Sequence, residues 1–362
     1  MIMKKEPALT RASKDNSSIG LFNEGSEEII FKGTAREYFG IWLVNVILSI
    51  VTIGIYSAWA KVRRETYFKN QTKIANIGFG YHATGKQIFK GRVVAVLVII
   101  LIQMITTVAP LTSFLVFPLI LFLFPWLLNS SMRFSARMTS YRNVRFNWRG
   151  TYWKSFWFFV IAPVVGIISL GILIPLISKS YYKYFASSHS YGKSNFSCEP
   201  LTKDYYLAFF VGVIVPTFVL LISFFSLFLI FEFGGPMDSL VGVVAQFVPL
   251  TLILLALLTS YVYRVLCRNL MMKSLHLSSV AKFNSEIKPV RYLWIYLSNS
   301  ILIIGSLGLL IPWARVRAYS YLVNCTSISL TDEAEKIVDE WTSDKSSFGE
   351  EFAELEGIEA TI

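Results

Sequence analysis

Long apolar runs alternate with polar stretches along the whole chain. The apolar runs cover residues 38–60, 93–109, 111–128, 153–177, 206–231, 240–266 and 292–313. Apolar helices of about 20 residues are long enough to cross a bilayer. The pattern therefore predicts an all-α polytopic integral membrane protein of about seven hydrophobic segments. Only Pro110 parts the second run from the third, which predicts an antiparallel helical hairpin. The fifth and sixth runs predict another, around the acidic turn Glu232-Phe233-Gly234-Gly235-Pro236-Met237-Asp238. Residues 74–84 are rich in β-formers and glycine and predict a small β-hairpin.

The first and last apolar runs end in the same words. Thr52-Ile53-Gly54-Ile55 leads into Trp59-Ala60-Lys61-Val62-Arg63, and Ser306-Leu307-Gly308-Leu309 leads into Trp313-Ala314-Arg315-Val316-Arg317. Residues 38–72 align with 292–326 without a gap, with 15 identities. They include Asn45/Asn299, Gly54/Gly308, Trp59/Trp313, Arg63/Arg317 and Tyr67/Tyr321. Apolar character alone does not produce shared amides and aromatics. A weaker copy between them keeps Gly171 and Tyr184 and lacks the Asn, Trp and Arg. Shorter echoes pair Phe79 with Phe196 and Phe146-Asn147 with Phe283-Asn284. The order reads as signature segment, hairpin, signature segment, hairpin, signature segment.

Charge changes the topology this implies. Loops 61–92, 129–154 and 267–291 are basic, whereas the turns at Pro110 and 232–238 are neutral or acidic. The positive-inside rule puts the basic loops in the cytoplasm. Each signature segment then enters and leaves on the same face, as a re-entrant or shallow element. Seven ordinary spans are the competing arrangement, and they leave at least one basic loop outside.

Composition agrees with a membrane protein: 54% of the 362 residues are hydrophobic and 16% charged. The net charge of +11 hides an asymmetry, since residues 331–362 hold 11 acids against two lysines. The basic excess beside the apolar runs suits anionic lipid headgroups and not nucleic acid. The chain divides into a flexible polar start (1–30), a transmembrane domain of repeats (31–145, 146–282 and 283–330) and an acidic tail (331–362). No cleavable signal opens it, so the first apolar run is expected to act as the insertion signal. Cys198, Cys267 and Cys325 are scattered and odd in number, which gives no disulfide framework.

The candidate functional residues are those of the signature: Asn45, Gly54, Trp59, Arg63, Tyr67, Gly171, Tyr184, Asn299, Gly308, Trp313, Arg317 and Tyr321. Trp59, Arg63 and Tyr67 recur every four residues and are expected on one helix stripe. Two readings stand for that stripe: an interfacial anchor, or a site for a lipid or substrate headgroup. Asn45 and Asn299 are either interhelical glue or polar contacts in a pathway. Gln103, Thr106, Thr107 and Gln246 are further pathway candidates. His82, His189 and His276 lie in separate loops, and no nucleophile or metal motif is present. No enzymatic activity, metal or cofactor is expected.

Phe31-Lys32-Gly33-Thr34, Tyr38-Phe39, Val44-Asn45, Thr52-Ile53-Gly54-Ile55-Tyr56, Trp59-Ala60 and Phe79-Gly80-Tyr81 resemble the YjgN-type bacterial inner-membrane proteins. Val144-Arg145-Phe146 resembles them too. The resemblance covers residues 31–326 and implies a multi-span helical fold in the inner membrane; it supplies no substrate. Two functions stay open. One is a transporter or channel-like protein for a small or lipid-like solute. The other is a scaffold or envelope-organising protein that binds anionic lipid, with a partner protein on the acidic tail.

Overall fold

The computed structural model describes residues 26–218, 221–222, 225, 238–278 and 281–330. Most of the acidic turn expected at 232–238, the polar start before Ser26 and the acidic tail lie outside the described residues.

The chain alternates helical pairs with short strands. β1 (Ser26–Glu28) and β2 (Ile30–Phe31) lead to helices α1 (Ala35–Val51) and α2 (Ser57–Gln71). β3 (Thr72–Ile74), β4 (Ile77–Gly78) and β5 (Gly80–Tyr81) follow, then α3 (Gly85–Val108) and α4 (Ser113–Arg137) around a single turn at Pro110–Thr112. β6 (Thr139–Tyr141) and β7 (Val144–Trp148) precede α5 (Tyr152–Ile168), which carries a π-turn over Trp157–Ile161, and α6 (Ile174–Ser187). After β8 (His189–Tyr191) and β9 (Ser194–Cys198) come α7 (Thr202–Phe209) and the long α8 (Asp238–Lys273). β10 (Leu275–Leu277), β11 (Ala281–Ser285), α9 (Pro289–Gly305), α10 (Ile311–Asn324) and β12 (Thr326–Leu330) complete it.

Three helical pairs reverse through one backbone geometry. After α1, Gly54 N–H donates to Ser49 O (2.6 Å) and Ile53 N–H to Ile50 O (3.1 Å). Ile53 and Gly54 both take positive φ, 51° and 85°, which turns the chain back on itself. Thr52 Oγ1 donates to Leu48 O (2.7 Å) and accepts the Tyr56 N–H (2.9 Å), joining the two helices through one hydroxyl. Leu170-Gly171 (51°, 87°) and Leu307-Gly308 (51°, 90°) repeat the turn. Ser169 and Ser306 repeat the hydroxyl bridge, accepting from Leu173 and Leu310 N–H. A glycine carries the larger positive φ at little cost. The preceding Ile or Leu carries a conformation that L-residues avoid by roughly 1–2 kcal/mol.

Because each helical pair returns, the strands gather at one end. Nine of them form an antiparallel sheet in the order β1-β12-β11-β10-β9-β8-β7-β6-β5, and β2-β3-β4 form a second. Single residues, Ile29 and Phe79, link the two sheets at β1–β2 and β4–β5. Both pack against one core with Ile74, Val144, Tyr191, Leu277, Ala281 and Ile328. Residues from both ends of the ribbon meet there, so the ribbon is curled round its own aromatic centre. Phe79, Phe146, Phe196 and Phe283, the echoes in the sequence, are packed against that core. Two-residue turns with positive φ, Ala75-Asn76 and Arg142-Asn143, tighten the hairpins at β3–β4 and β6–β7. The first falls at the start of the stretch expected to make a hairpin.

The expected all-α seven-span fold is therefore corrected. Strands of two to five residues are too short to show a period of their own, and the basic loops hid them. Among the described residues, two helices are long and apolar enough to cross a membrane: Gly85–Val108 and Pro110–Arg137.

Candidate functional site

Each signature hairpin is clasped at its base by the equivalent tyrosine. Tyr67 Oη donates to Thr34 O (2.9 Å), the cap residue of α1, and to Glu37 Oε2 (3.1 Å). Burial and the Glu37 carboxylate push the Tyr67 phenol up to about 12, so it stays a donor. Tyr184 Oη lies 3.3 Å from Thr151 O and 2.9 Å from Ser155 Oγ. Tyr321 Oη accepts the Lys288 N–H at 3.2 Å. These contacts hold the end of each returning helix beside the start of its partner. Gly54, Gly171 and Gly308 sit at the opposite ends, the tips.

The tips are apolar and uncovered. Ile53, Leu170 and Leu307 are 93, 92 and 95% exposed. Ile50, Val51, Ile168, Ile304 and Leu309 surround them and are exposed as well.

Between tip and base the copies differ. Asn299 is buried; its Nδ2 donates to Ala314 O (3.0 Å) and its Oδ1 accepts Arg317 Nη1 (3.0 Å). Arg317 also donates to Ser298 Oγ (2.8 Å) and lies over the Trp313 ring (5.1 Å). In the first copy Arg63 instead lies over Tyr56 at 5.6 Å. Asn45 is just as buried, yet its Oδ1 has no partner among the described residues.

Along the Trp59-Arg63-Tyr67 series each four-residue step turns the side chain about 40° round the helix, because a turn takes 3.6 residues; Arg63 and Tyr67 border one shallow cavity with Val44 of α1. Trp59 packs on α3, against Phe89 and so close to Gly85 that a methyl there would clash with the indole. Tyr67 faces α1, stacked with Tyr38, and Arg63 points outward. Of the pathway candidates, Thr106 and Thr107 spend their hydroxyls on carbonyls of their own helix. The Gln246 side chain lies outside the described residues.

Asn45 borders a cleft of about 430 Å³ between α1, α2, the first turns of α3 and α10. Four cations line it: Lys61, Arg64, Arg92 and Arg315. Arg92 donates to Ser57 Oγ, and Arg315 Nη1 to Tyr38 Oη at 3.2 Å. Arg64 meets Glu65 at 3.1 Å. No acidic side chain is among the described residues lining the cleft. Trp42, Val46 and Ile50 supply an apolar side.

Lys61 and Arg315 are equivalent positions of the first and last copies, so two hairpins bring the same charge to one place. Sequence reasoning weighed the neighbouring Arg63 and Arg317 and passed over these. The signal was present as the basic residue kept at both positions. Arg92 carried no such mark. A larger cavity of about 820 Å³ at the base of the last hairpin mixes Lys288, Arg291 and Arg317 with Glu28 and Glu286, and so compensates its own charge.

Residues 26–355 match the family described as bacterial protein of unknown function, DUF898. The chain is 24% identical over 360 residues to "Inner membrane protein YjgN" of Salmonella typhimurium, covering 86% of this chain and 91% of that relative. It is 29% identical over 168 residues to the protein of that name in Escherichia coli O157:H7, with 45% of this chain and 41% of the relative covered. A 155-residue match to the Escherichia coli K12 protein, again 29% identical, covers 42% and 39%. No solved structure matches.

Proposed function

The chain belongs to the DUF898 family, bacterial inner-membrane proteins of unknown function, and from that premise we propose that it is a scaffold anchored in the cytoplasmic leaflet that gathers anionic lipid. In this reading α3 and α4 cross the bilayer, while the three signature hairpins, a threefold internal repeat, dip into one leaflet only. The curled sheet sits on the cytoplasmic side.

The observation that carries the reading is the three exposed tips. An asparagine would accept the left-handed conformation more easily than Ile53, Leu170 or Leu307. An amide in hydrocarbon lacks partners, whereas an isoleucine or leucine there gains about 1.5–3 kcal/mol over exposure to water. A strained, apolar, uncovered residue fits lipid at all three places.

Depth follows from the charges. Lys61, Lys179 and Arg315 come seven, eight and seven residues after the tip glycine, about 10–12 Å at 1.5 Å per residue. With a side chain reaching toward the headgroups, that depth is near half of a hydrocarbon core about 30 Å thick. By contrast, residues 93–108 of α3 and 113–132 of α4 carry no charge, about 24 and 30 Å of helix. Conduction is less well supported, since Asn299, Thr106 and Thr107 have their hydrogen bonds met locally.

Single cysteines in a cysteine-free chain test the arrangement from each side of sealed vesicles. Positions Asn76 and Lys193, in β-turns, should label from the cytoplasmic side only, and Leu111 from the outside only. Ile53 and Leu307 should resist an impermeant reagent from the outside. Outside labelling at Ile53 and Leu307 equal to that at Leu111 would make the signature hairpins full spans and end the one-leaflet reading.

A further inference from the structure

We infer that the cleft on the first hairpin binds a phosphate anion that also carries a hydroxyl, as the phosphoglycerol headgroup of an anionic lipid does. The inference rests on the leaflet-anchored reading, which supplies the lipid at that depth.

Two independent demands meet in the cleft. The first is charge. Lys61, Arg64, Arg92 and Arg315 converge on about 430 Å³, and Glu65, beside Arg64, is the acid paired among them. Like charges brought together beside hydrocarbon repel unless an anion joins them, and phosphate accepts several such donors at once. Arg92 and Arg315 are already oriented by Ser57 and Tyr38 hydroxyls, and each guanidinium keeps donors to spare.

The second demand is for a donor. Asn45 is 93% buried by its 7% exposure, and its Oδ1 accepts nothing among the described residues. Ser49, one turn on, cannot supply the proton, because its hydroxyl donates to the Asn45 backbone carbonyl (2.6 Å). In the last copy the equivalent oxygen is filled by Arg317, which shows what the position accepts. A cation cannot come from a phosphate ligand, but a hydroxyl can. Phosphate alone meets the first demand, and phosphoglycerol meets both. The apolar side formed by Trp42, Val46 and Ile50 leads toward the tip, where an acyl chain would run. A soluble glycerol phosphate carries the same two groups without the chain.

Native mass spectrometry of the full-length protein in neutral detergent separates these cases. Phosphatidylglycerol, phosphatidic acid and phosphatidylcholine of identical acyl chains are offered at equal concentration. The expected order is phosphatidylglycerol, then phosphatidic acid, then phosphatidylcholine. Asn45→Leu should lower phosphatidylglycerol binding about tenfold, the worth of one hydrogen bond, and leave phosphatidic acid unchanged. Lys61→Gln with Arg92→Gln should lower both anionic lipids together. Millimolar glycerol phosphate should fail to displace the lipid; displacement would move the site to a soluble ligand. An unchanged ratio of phosphatidylglycerol to phosphatidic acid in Asn45→Leu would overturn the hydroxyl assignment. No preference for anionic lipid in the unaltered protein would overturn the site. Thiol labelling of the tips reports separately, so a failed site and a failed membrane arrangement give different results.

Discussion

Asn299→Leu should destabilise the protein, and Asn45→Leu, its counterpart in the first hairpin, should not. Both side chains are buried, at positions of α1 and α9 that align in the sequence. The difference lies in what each oxygen and nitrogen touches. Leucine at 299 removes the bond from Nδ2 to Ala314 O and the one from Arg317 Nη1 to Oδ1. A neutral bond contributes about 1 kcal/mol and a charged one about 1.5–3 kcal/mol. Side-chain bonds between membrane helices average nearer 0.6 kcal/mol. Arg317 keeps Ser298 and the Trp313 ring, which limits the loss. The net expectation is a loss of about 1–3 kcal/mol.

At Asn45 Oδ1 has no bond among the described residues to be lost, and leucine removes a buried acceptor without a partner there. The expected change runs from zero to a gain of about 1 kcal/mol. Denaturant unfolding in nanodiscs of phosphatidylcholine alone, which offers no phosphoglycerol hydroxyl, followed by tryptophan fluorescence, measures both variants. Equal losses at the two positions would refute the reasoning, because Asn45 would then have a partner of the same strength as Asn299.

Three further outcomes follow from the geometry. Tyr67→Phe should cost about 1–2 kcal/mol, more than Tyr321→Phe, whose hydroxyl accepts from the Lys288 N–H at 3.2 Å and meets no carboxylate among the described residues; paired unfolding curves compare them. Lys69 is held at about 8, below its ordinary 10.5, by burial against Tyr81 and Thr139. Its folded value is depressed, so the unfolded chain binds the extra proton between pH 8 and 10.5, and stability rises with pH across that window. Lys69→Met should abolish this rise, measured as the difference in midpoint between pH 7.5 and 10. Changing Ile53, Leu170 and Leu307 together to Asn should keep the folded sheet but reduce quenching of the hairpins by lipids brominated deep in the acyl chain; unchanged quenching would count against tips in hydrocarbon.

Much of this architecture was legible and some was not, for definite reasons. The apolar run on each side of Pro110 is a local property, and it gave α3, α4 and their turn. The glycines at 54, 171 and 308 stood out because each follows a Ser/Thr and an Ile or Leu at the end of an apolar run. The sheet did not stand out. Its strands are very short, and partners such as Cys198 and Leu275, or Ser26 and Ser329, lie far apart in the chain. The echo of Phe146-Asn147 at Phe283-Asn284 was visible, but its meaning as the lining of a curled ribbon required the curl itself. The cleft was hidden for a related reason. Its cations come from α2, α3 and α10, and the packing of the first hairpin against the last brings them together.

The pairing of β1 with β12 bears on how the protein is made. Ser26 faces Ser329, so the first strand waits through the synthesis of almost the whole described chain before its partner exists. Closing so long a loop is thermodynamically mild, since its entropy grows only with the logarithm of length. In time it is another matter. While the ribosome delivers one helical pair after another, both edges of the growing ribbon stand open, able to hydrogen-bond to any strand they meet. Two nascent copies crowded on one messenger can trade their first strands as readily as each can wait for its own last one. Overproduction should therefore yield strand-exchanged dimers. The hazard lies in biogenesis and leaves the finished fold untouched.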